Sequence, residues 1–269
     1  MVNKTILKWA GSKASIIEKL RPYLPKTQSL IEPFAGSLAI LMNTHYDHYL
    51  IADANADLIN LYLIIIHRKS AFIHRANQVF TTFGDRQHYY QLRAQFNETN
   101  LSLFERAVYF LYLNRYGYCG LCRYNQQGHF NVPFGDYKQP YFPLTEITAF
   151  TKKINDQVDI ICRDWRETIS GLNGDEGIYC DPPYMGDKNS FIQYYSQVFD
   201  DKAQEDLAKT LKNIHRKQGN PITVSNSIKA KSLYADLGFT VHEISAPRTI
   251  AANGNRQPAK EIIAVLGGR

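Results

Sequence analysis

With 269 residues, of which 44% are hydrophobic and 13% aromatic, the chain is long enough to bury one large core, or one core plus a smaller lobe. No stretch approaches the roughly 20 apolar residues that a membrane-spanning helix needs, and "MVNKTILKWAGSK" at the start lacks the apolar core and cleavage site of a signal peptide. We therefore expect a cytoplasmic protein with no membrane partner. The formal net charge of +6 permits a polyanionic partner but does not by itself show one.

The first part of the chain alternates apolar, strand-like runs with helical patterns. "QSLIEPFAG" predicts a strand that ends in a glycine turn, and "LAILMNTH" predicts the helix behind it. "HYLIAD" predicts a second strand ending at Asp53, and Asn55 is a suitable N-cap for a helix in "ADLINLYLIII". Such an order is typical of an α/β fold.

Between about residue 55 and residue 145 this alternation disappears. Helical stretches such as "SLFERAVYFLYLNRYG" come first, and the loop "NRYGYCGLCRYNQQGHF" at 114–130 then interleaves arginines with tyrosines and has few acids. That mixture suits phosphate contact and base stacking, although a solvated loop can have the same composition. We predict an inserted, mostly helical lobe over 55–145, within an α/β domain formed by 1–54 and 146–269.

After the insert the alternation resumes. "VDIIC" and "EGIYC" predict strands, and "DDKAQEDLAKTLKNIHRKQG" predicts a helix that starts at Asp200 or Asp201 and ends at Gly219. "PITVSN", "FTVHEISA" and "EIIAVL" predict the remaining strands. The polar stretches "VSNS" at 224–227 and "ANGNR" at 252–256 are expected to be loops. The pattern as a whole predicts a sheet with helices on both faces.

Three acids follow predicted strands: Glu32, Asp53 and Asp181. Ligands of open α/β sheets bind outside the carboxyl ends of the strands, and an acid after the second strand is the usual partner of ribose hydroxyls. "FAG" at 34–36 offers a tight turn but is not the three-glycine phosphate fingerprint, which disfavours a dinucleotide. The pattern fits a nucleoside cofactor without phosphates. Asp164 and Trp165 follow "VDIIC", where they could contact the cofactor adenine or be a helix cap and a core residue.

The stretch "GIYCDPPYMG" at 177–186 places Asp181, Pro182, Pro183 and Tyr184 directly after a predicted buried strand. An exocyclic amine on an aromatic base is a poor nucleophile, and acceptors for its N–H groups draw electron density back onto the nitrogen. The Asp181 carboxylate and the Pro182 carbonyl could be those acceptors, because Pro183 restricts the residue before it to extended geometry. Tyr184 offers a flat face for a base removed from a duplex. A simple turn after a strand is the alternative.

Five motifs carry a resemblance to a known family: "LKWAGSK" (7–13), "IEPFAGS" (31–37), "YLNRYGYCGLCRYN" (112–125), "FNVPFGDYKQPYFP" (130–143) and "YCDPPY" (179–184). From about residue 4 to residue 266 the chain resembles the DNA adenine methyltransferase (Dam) family. The resemblance implies a Rossmann-like, S-adenosylmethionine-dependent methyltransferase sheet with a target-recognition lobe inserted over 55–145. It also implies methylation of the adenine amino group in double-stranded DNA containing GATC, in a bacterial or phage-infected cell.

Matched position by position, the resemblance implies two sets of contacts. The cofactor contacts are Trp9, Ala10, Gly11, Lys13, Phe34, Ala35, Gly36, Asp53 and Asp181. Lys8 would face DNA, and Arg123 is the candidate reader of guanine, since a guanidinium fork matches two major-groove acceptors of that base. The other DNA candidates are Tyr118 and Leu121 as wedges at the target step, Pro133 and Tyr137 near bases or backbone, and Arg115 and Asn125 as phosphate contacts or structural residues. Arg256 is a further candidate.

The sequence departs from the family pattern at two positions. Leu38 stands where many members carry a second glycine, and Cys119 stands where asparagine is common. Cys119 creates "CGLC" with Cys122, which resembles a redox motif or half a zinc site. No second ligand pair is evident and the four cysteines do not suggest a secreted disulfide framework, so we predict no metal.

Three other functions remain open at this point. The Asp-Pro-Pro-Tyr chemistry engages an amino group rather than a whole base, so cytosine N4 in DNA or adenine in RNA is an alternative target. A catalytically silent DNA-binding protein and a nicotinamide enzyme are less well supported, because Asp181 and Tyr184 are intact and the phosphate fingerprint is missing. Nothing in the sequence indicates an obligate protein partner.

Overall fold

The computed structural model describes residues 2–185, 199–247 and 259–267. Its strands are β1 (Ser29–Glu32), β2 (His48–Asp53), β3 (Val158–Cys162), β4 (Glu176–Cys180), β5 (Ile222–Ser227), β6 (Thr240–Ala246) and β7 (Ala259–Leu266). They form one sheet in the order β3-β2-β1-β4-β5-β7-β6. β1 to β5 run parallel to one another, whereas β7 is antiparallel to both β5 and β6. Each strand was predicted from its apolar run, and the α/β class is confirmed.

The helices fill the segments between the strands. They are α1 (Ile17–Leu20), α2 (Ala39–Asn43), α3 (Ala56–Thr82), α4 (Arg86–Phe96), α5 (Leu103–Tyr116), α6 (Leu144–Lys153), α7 (Trp165–Thr168), α8 (Asp201–Gln218) and α9 (Lys231–Asp236). The predicted caps are confirmed: Asn55 Oδ1 accepts from the Leu58 N–H at 3.0 Å, and Asp200 caps α8 through the Ala203 N–H at 2.8 Å. Gly219 ends α8 at φ +86°, a conformation that glycine adopts without a steric penalty.

Helices cover both faces of the sheet, as the sequence predicts. Neighbouring strand residues point to opposite faces, and they join two different apolar clusters. Leu30 and Tyr179 belong to the cluster that includes α3 and α5, whereas Ile31 and Ile178 belong to the cluster that includes α8 and α9. The central strands β1 and β4 therefore have both faces buried, which is why they are apolar runs and do not alternate, whereas the edge strands β3 and β6 are partly exposed.

The segment between β2 and β3 holds α3 to α6, and α6 extends past residue 145, where the predicted insert ends. Its first helix is long and has a non-helical backbone at Arg68 (φ −135°, ψ 35°). Before that point Leu58 and Tyr62 pack into the same apolar cluster as Leu30 of β1. Hydrophobic packing is therefore continuous between the sheet and the start of the insert. No helix within the described ranges is long and apolar enough to cross a membrane.

Candidate active site

The sheet order reverses between β1 and β4, since β2 and β3 lie on one side of β1 while β5 and later strands lie beyond β4. Crevices at such a point are where open α/β sheets bind ligands. A cavity of about 300 Å³ lies there. It is lined by every residue that the sequence proposes for cofactor or chemistry: Trp9, Ala10, Gly11, Lys13, Glu32, Phe34, Ala35, Gly36, Asp53, Asp164, Trp165, Asp181, Pro182, Pro183 and Tyr184.

Two loops form one wall of the cavity. The turn after β1 approaches the N-terminal loop so closely that a Cβ on Gly36 would lie 2.9 Å from Trp9 Nε1, and Gly36 has φ +47°. Both facts require glycine there. The Ser12 and Ser37 hydroxyls, 2.9 Å apart, join the same loops. Asp53 at the end of β2 also holds this turn, because its Oδ2 accepts from the Gly36 N–H at 3.0 Å.

The three strand-end acids lie together because β2, β1 and β4 are adjacent parallel strands whose carboxyl ends share one edge. Burial raises the pKa of Glu32 well above its ordinary value, and the neighbouring Asp181 and Asp53 carboxylates raise it further. Burial also raises the pKa of Asp53, against backbone hydrogen bonds that lower it. Glu32 is 2% exposed, so the cavity floor holds an acid that favours its neutral form.

Lys13 and Asp181 form the charged centre of the cavity. Lys13 Nζ lies 2.8 Å from Asp181 Oδ2 and donates to the Gly11 carbonyl at 2.6 Å. Desolvation raises the pKa of Asp181 to about 6, although the Lys13 ammonium lowers it. Asp181 Oδ1 has no hydrogen-bond partner among the residues described. One carboxylate oxygen is therefore held by the lysine, and the other is buried and unsatisfied, which is unusual for a charged oxygen.

Tyr184 presents its ring to the same centre. Lys13 Nζ lies 5.0 Å from the ring centroid, and the Tyr184 hydroxyl donates to Glu261 Oε2 at 2.7 Å. The residue after it is held by β5: the Met185 N–H donates to Asn226 Oδ1 at 3.1 Å, and the Ser227 hydroxyl donates to the Met185 carbonyl at 3.0 Å. The Asp-Pro-Pro-Tyr segment is thus fixed from β5 and β7.

The loop prediction for "VSNS" is wrong, because all four residues belong to β5. Polar residues in a buried strand suggest a loop when the sequence alone is read. Here Asn226 is fully buried and its side chain holds the segment after Tyr184, while the Ser225 and Tyr179 hydroxyls are 2.9 Å apart. Sequence reasoning also missed Glu261, which belongs to a strand far along the chain and has no local motif.

Aromatic rings form the outer wall. Phe34 and Trp165 are nearly parallel with centroids 6.5 Å apart, and Phe199 meets Phe34 edge-on at 5.7 Å. Asp164 is the N-cap of α7, since its Oδ1 accepts from the Arg166 N–H at 2.9 Å. Asp164 is therefore a helix cap and Trp165 a buried core residue, which is one of the two predicted alternatives. Both residues also line the cavity, which a contact with the cofactor adenine requires.

The predicted DNA-contacting residues lie in or beside the loop after α5. Tyr118 is 46% exposed and Pro133 is also exposed, and the Tyr118 N–H donates to the Pro133 carbonyl at 2.8 Å. Leu121 is half-buried against the core. Arg123 is half-exposed, with Nε donating to Asn131 Oδ1 at 2.7 Å. An arginine fixed on one side presents its remaining donors in a set direction.

Arg115 and Asn125 have structural roles here. Arg115 is only 6% exposed and donates to the Ile6 carbonyl, and burial lowers the pKa of its guanidinium. Asn125 Oδ1 accepts from the N–H groups of Gln127 and His129 at 3.0 and 2.9 Å, which closes a turn. For Arg115 this burial favours the structural alternative over the phosphate contact, since its guanidinium is turned into the core.

Lys8 and Tyr137 form one surface with that loop. Lys8 Nζ lies 4.1 Å above the centre of the Tyr137 ring, and the Tyr137 hydroxyl accepts from the Cys119 N–H at 3.1 Å. The backbone of Lys8 is held by Asn114, which also donates to the Gly120 carbonyl at 3.0 Å. These contacts bring Lys8 of the N-terminal segment next to Tyr137 and Gly120 of the insert. That both segments face DNA stays a prediction.

The two departures from the family pattern share a backbone conformation. Leu38 has φ +64° and Cys119 has φ +54°. The family residues at these positions, glycine and asparagine, are those that adopt left-handed geometry most readily. Leu38 is 1% exposed, so its burial offsets an unfavourable backbone. Cys119 and Cys122 are free thiols, and in the described ranges no group of three or more metal-ligating side chains is assembled. Arg256 lies outside the described residues.

The sheet order, the insert and the cavity together define a methyltransferase of Rossmann-like fold. A family model for D12 class N6 adenine-specific DNA methyltransferases matches residues 9–250, so the chain belongs to that family and methylates adenine in DNA. It is 46% identical to the Retron Ec67 DNA adenine methylase of Escherichia coli, over 98% of this chain and 92% of that protein. The DNA adenine methylases of Vibrio cholerae (37%; 98% and 96% covered) and Escherichia coli K12 (36%; 98% and 95%) are also similar.

Proposed function

We propose that the enzyme takes its methyl group from S-adenosylmethionine, flips the target adenine out of the duplex, and acts on GATC. The observation that supports this most directly is the arrangement of Lys13, Asp181 and Tyr184 in the cavity beside the aromatic and acidic residues. The relatives named above are DNA adenine methylases.

The donor set of the cavity fits S-adenosylmethionine. Phe34 and Trp165 supply apolar faces for an adenine, and Asp53 suits ribose hydroxyls. Among the described residues that line it, two are basic, Lys13 and Arg166, which is few for a pyrophosphate. When bound, S-adenosylmethionine supplies a methyl carbon on a sulfonium, and sulfur keeps the bonding electron pair as the amine takes the methyl group.

The residues of the chain then act on the adenine amine. Asp181 and the Pro182 carbonyl accept its N–H groups and keep the nitrogen lone pair available for attack. The amine becomes positively charged as it gains the methyl group, and its proton leaves through Asp181 or water. Tyr184 stacks on the base and replaces part of the stacking lost on extrusion, which costs a few kcal/mol.

Recognition of the DNA sequence is assigned to Lys8 and to the segment at 114–137, which comprises the end of α5 and the loop after it. In this proposal Arg123 donates to the two acceptors of guanine in the major groove, Tyr118 and Leu121 insert at the target step, and Lys8, Pro133 and Tyr137 lie along the DNA. The exposed Tyr118 ring and the half-exposed Arg123 support this.

One assay tests the donor and the target together. The enzyme is incubated with labelled S-adenosylmethionine and duplexes that differ only within GATC, and the modified nucleoside is identified. We expect labelled N6-methyladenine from GATC and much less from each single-base variant. Equal labelling of all the duplexes would disprove GATC specificity, and no labelling would disprove the donor.

Flipping is tested with Tyr184→Ala on paired and mispaired targets. Because a mispaired adenine costs less to extrude, we expect the variant to lose less activity on the mispaired duplex. Equal losses on both duplexes would show that Tyr184 does not offset extrusion.

A further inference from the structure

The Tyr184 hydroxyl links the cavity to strand β7. It donates to Glu261 Oε2 at 2.7 Å. Burial raises the pKa of Tyr184 well above its ordinary value, so the phenol keeps its proton and remains a donor at neutral pH. A hydrogen bond from a phenol to a carboxylate is among the stronger ones in proteins. This contact joins the proposed stacking ring to β7.

The reversal of β7 is what places an acid at this spot. β1 to β5 are parallel, so their carboxyl ends form the active-site edge, and a further parallel strand would bring its last residues there. β7 instead runs antiparallel, with Glu261 level with Ser227 at the end of β5 and with Ile244 on β6. Its first residues therefore reach the active-site edge. The backbone of Glu261 is therefore fixed between two strands.

The backbone beside Tyr184 is fixed independently. Asn226 and Ser227 on β5 bind the N–H and the carbonyl of Met185. These bonds fix where the chain leaves the motif but not the direction of the Tyr184 ring, since a side chain retains its rotamer freedom when only its backbone is held. The bond to Glu261 supplies the missing restraint at the tip of the ring.

We propose that Glu261 is a positioning residue for adenine methylation, which holds the Tyr184 ring at the angle that a flipped adenine needs for stacking beside Asp181. This rests on the proposed stacking role of Tyr184. Without the bond, the ring can swing about its own side-chain torsions, and the base is presented to Asp181 and the Pro182 carbonyl in fewer productive orientations. Misplacement of a reacting group by about 1 Å can cost about 100-fold in rate.

The test removes the bond from each end. Glu261→Ala removes the acceptor, Tyr184→Phe removes the donor and keeps the ring, and the double variant removes both. We expect each single variant to lower the single-turnover rate on a GATC duplex by about 10-fold, with S-adenosylmethionine affinity unchanged, which is the effect of losing one hydrogen bond to a charged group. The double variant should be no slower than the slower single variant.

Two further variants separate positioning from a general structural role. Glu261→Gln keeps an amide oxygen that can accept from the phenol, and we expect it to retain most of the rate. Glu243→Ala is the matched control: this acid is on the neighbouring strand β6 and pairs with Lys231 and Lys260, so its loss should leave the rate unchanged. Melting temperatures of all variants show whether a loss reflects unfolding.

Several outcomes would overturn the inference. They are full activity of Glu261→Ala or of Tyr184→Phe, multiplying losses in the double variant, and a Glu261→Gln variant as slow as Glu261→Ala. If Glu261→Ala does not fold, Tyr184→Phe tests the same bond from the cavity side. Tyr184→Ala separates the two proposals, because full activity in that variant removes the stacking role itself. A slow Tyr184→Ala with an active Glu261→Ala removes only the role of Glu261.

Discussion

The active-site cavity and the segment at 114–137 were both assigned from sequence motifs, but they differ in how many of the predicted residues lie where their proposed roles require. All fifteen residues proposed for the cavity line it. Of the residues at 114–137, Tyr118 is exposed and Asn125 closes a local turn in the loop, whereas Arg115 lies in the last turn of α5 and is turned into the core. Most of the cavity residues follow parallel strands, whose ends meet at one edge, and the others belong to the N-terminal loop at 9–13, which packs against the Gly36 turn. The loop has no repeating geometry, so its side-chain directions depend on contacts with distant segments.

The largest expected effect is in the cavity. Asp181→Ala removes the acceptor for the adenine amine, and we expect kcat to fall by about 10³-fold while the fold remains intact. Asp53→Ala is the comparison, because Asp53 holds the Gly36 turn beside the proposed ribose site. That variant should weaken S-adenosylmethionine binding and keep more of the kcat at saturation. Near wild-type turnover by Asp181→Ala would reject its catalytic role.

In the loop, Arg123→Ala should relax specificity rather than abolish methylation. Losing a bidentate contact with guanine costs roughly 1–3 kcal/mol of discrimination. The check is kcat/KM on GATC and on duplexes changed at the first base, at two salt concentrations. A uniform loss on every duplex, with a shallower salt dependence, would make Arg123 a phosphate contact instead.

Replacing Arg115, which belongs to the same motif, should change the stability of the protein and not its DNA specificity. Arg115→Met keeps the apolar stem but leaves the Ile6 carbonyl without this donor, so we expect the free energy of unfolding to fall by about 2 kcal/mol. Activity per folded molecule and the salt slope should be unchanged. The measurements are denaturant unfolding and kcat/KM against salt. A salt slope reduced by about 1 with stability intact would restore Arg115 as a phosphate contact.

The pKa of Asp181 predicts a pH dependence for the cavity that the loop should not share. Burial raises this pKa to about 6, and the acceptor is the ionised form, so kcat/KM should fall about tenfold for each pH unit below 6. Lys13 and Tyr184 face this carboxylate, and Glu261, Glu32 and Tyr179 lie in its field. DNA affinity should change less over the same range. A rate that stays flat down to pH 5 would contradict this assignment.

As pH falls, the contribution of Asp181 to stability changes in the opposite direction to its contribution to the rate. Its folded pKa is higher than that of the unfolded chain, about 4, so the folded state binds more protons between these values. Ionisation of Asp181 therefore destabilises the fold above pH 6, and its contribution becomes more favourable as pH falls toward 4. The difference in unfolding free energy between wild type and Asp181→Asn, measured at pH 5 and pH 8, isolates this contribution from other acids.

The smallest expected effect is at Cys119. Its φ of +54° is unfavourable for cysteine and easier for asparagine. Cys119→Asn should raise the unfolding free energy by about 1 kcal/mol or less, with the Tyr137 contact kept because it uses the backbone N–H. Thermal melting is the measurement. A lower melting temperature would show that the thiol itself stabilises the loop.

The sequence by itself determined the α/β class, the apolar runs of the seven strands described, the caps of α3 and α8, and the strand-end acids Glu32, Asp53 and Asp181. Trp9, Ala10, Gly11 and Lys13 came only from the motif resemblance, and the end of β5 was mistaken for a loop. Apolar runs and capping residues are local signals, and the carboxyl ends of adjacent parallel strands necessarily share an edge. Motif resemblance supplied the adenine target, which the family match confirms. The motifs did not determine the direction of each side chain.

Only the tertiary structure decided the features that join distant parts of the chain. The pairing of Lys13 with Asp181, the hold of Asn226 on Met185, and the contact of Glu261 with Tyr184 each link different elements. The burial of Arg115 against Ile6 does the same. No local pattern encodes these contacts, because an arginine or glutamate has the same sequence signal whether it faces solvent, DNA or a buried carbonyl. Strand order and direction decide which of these it meets.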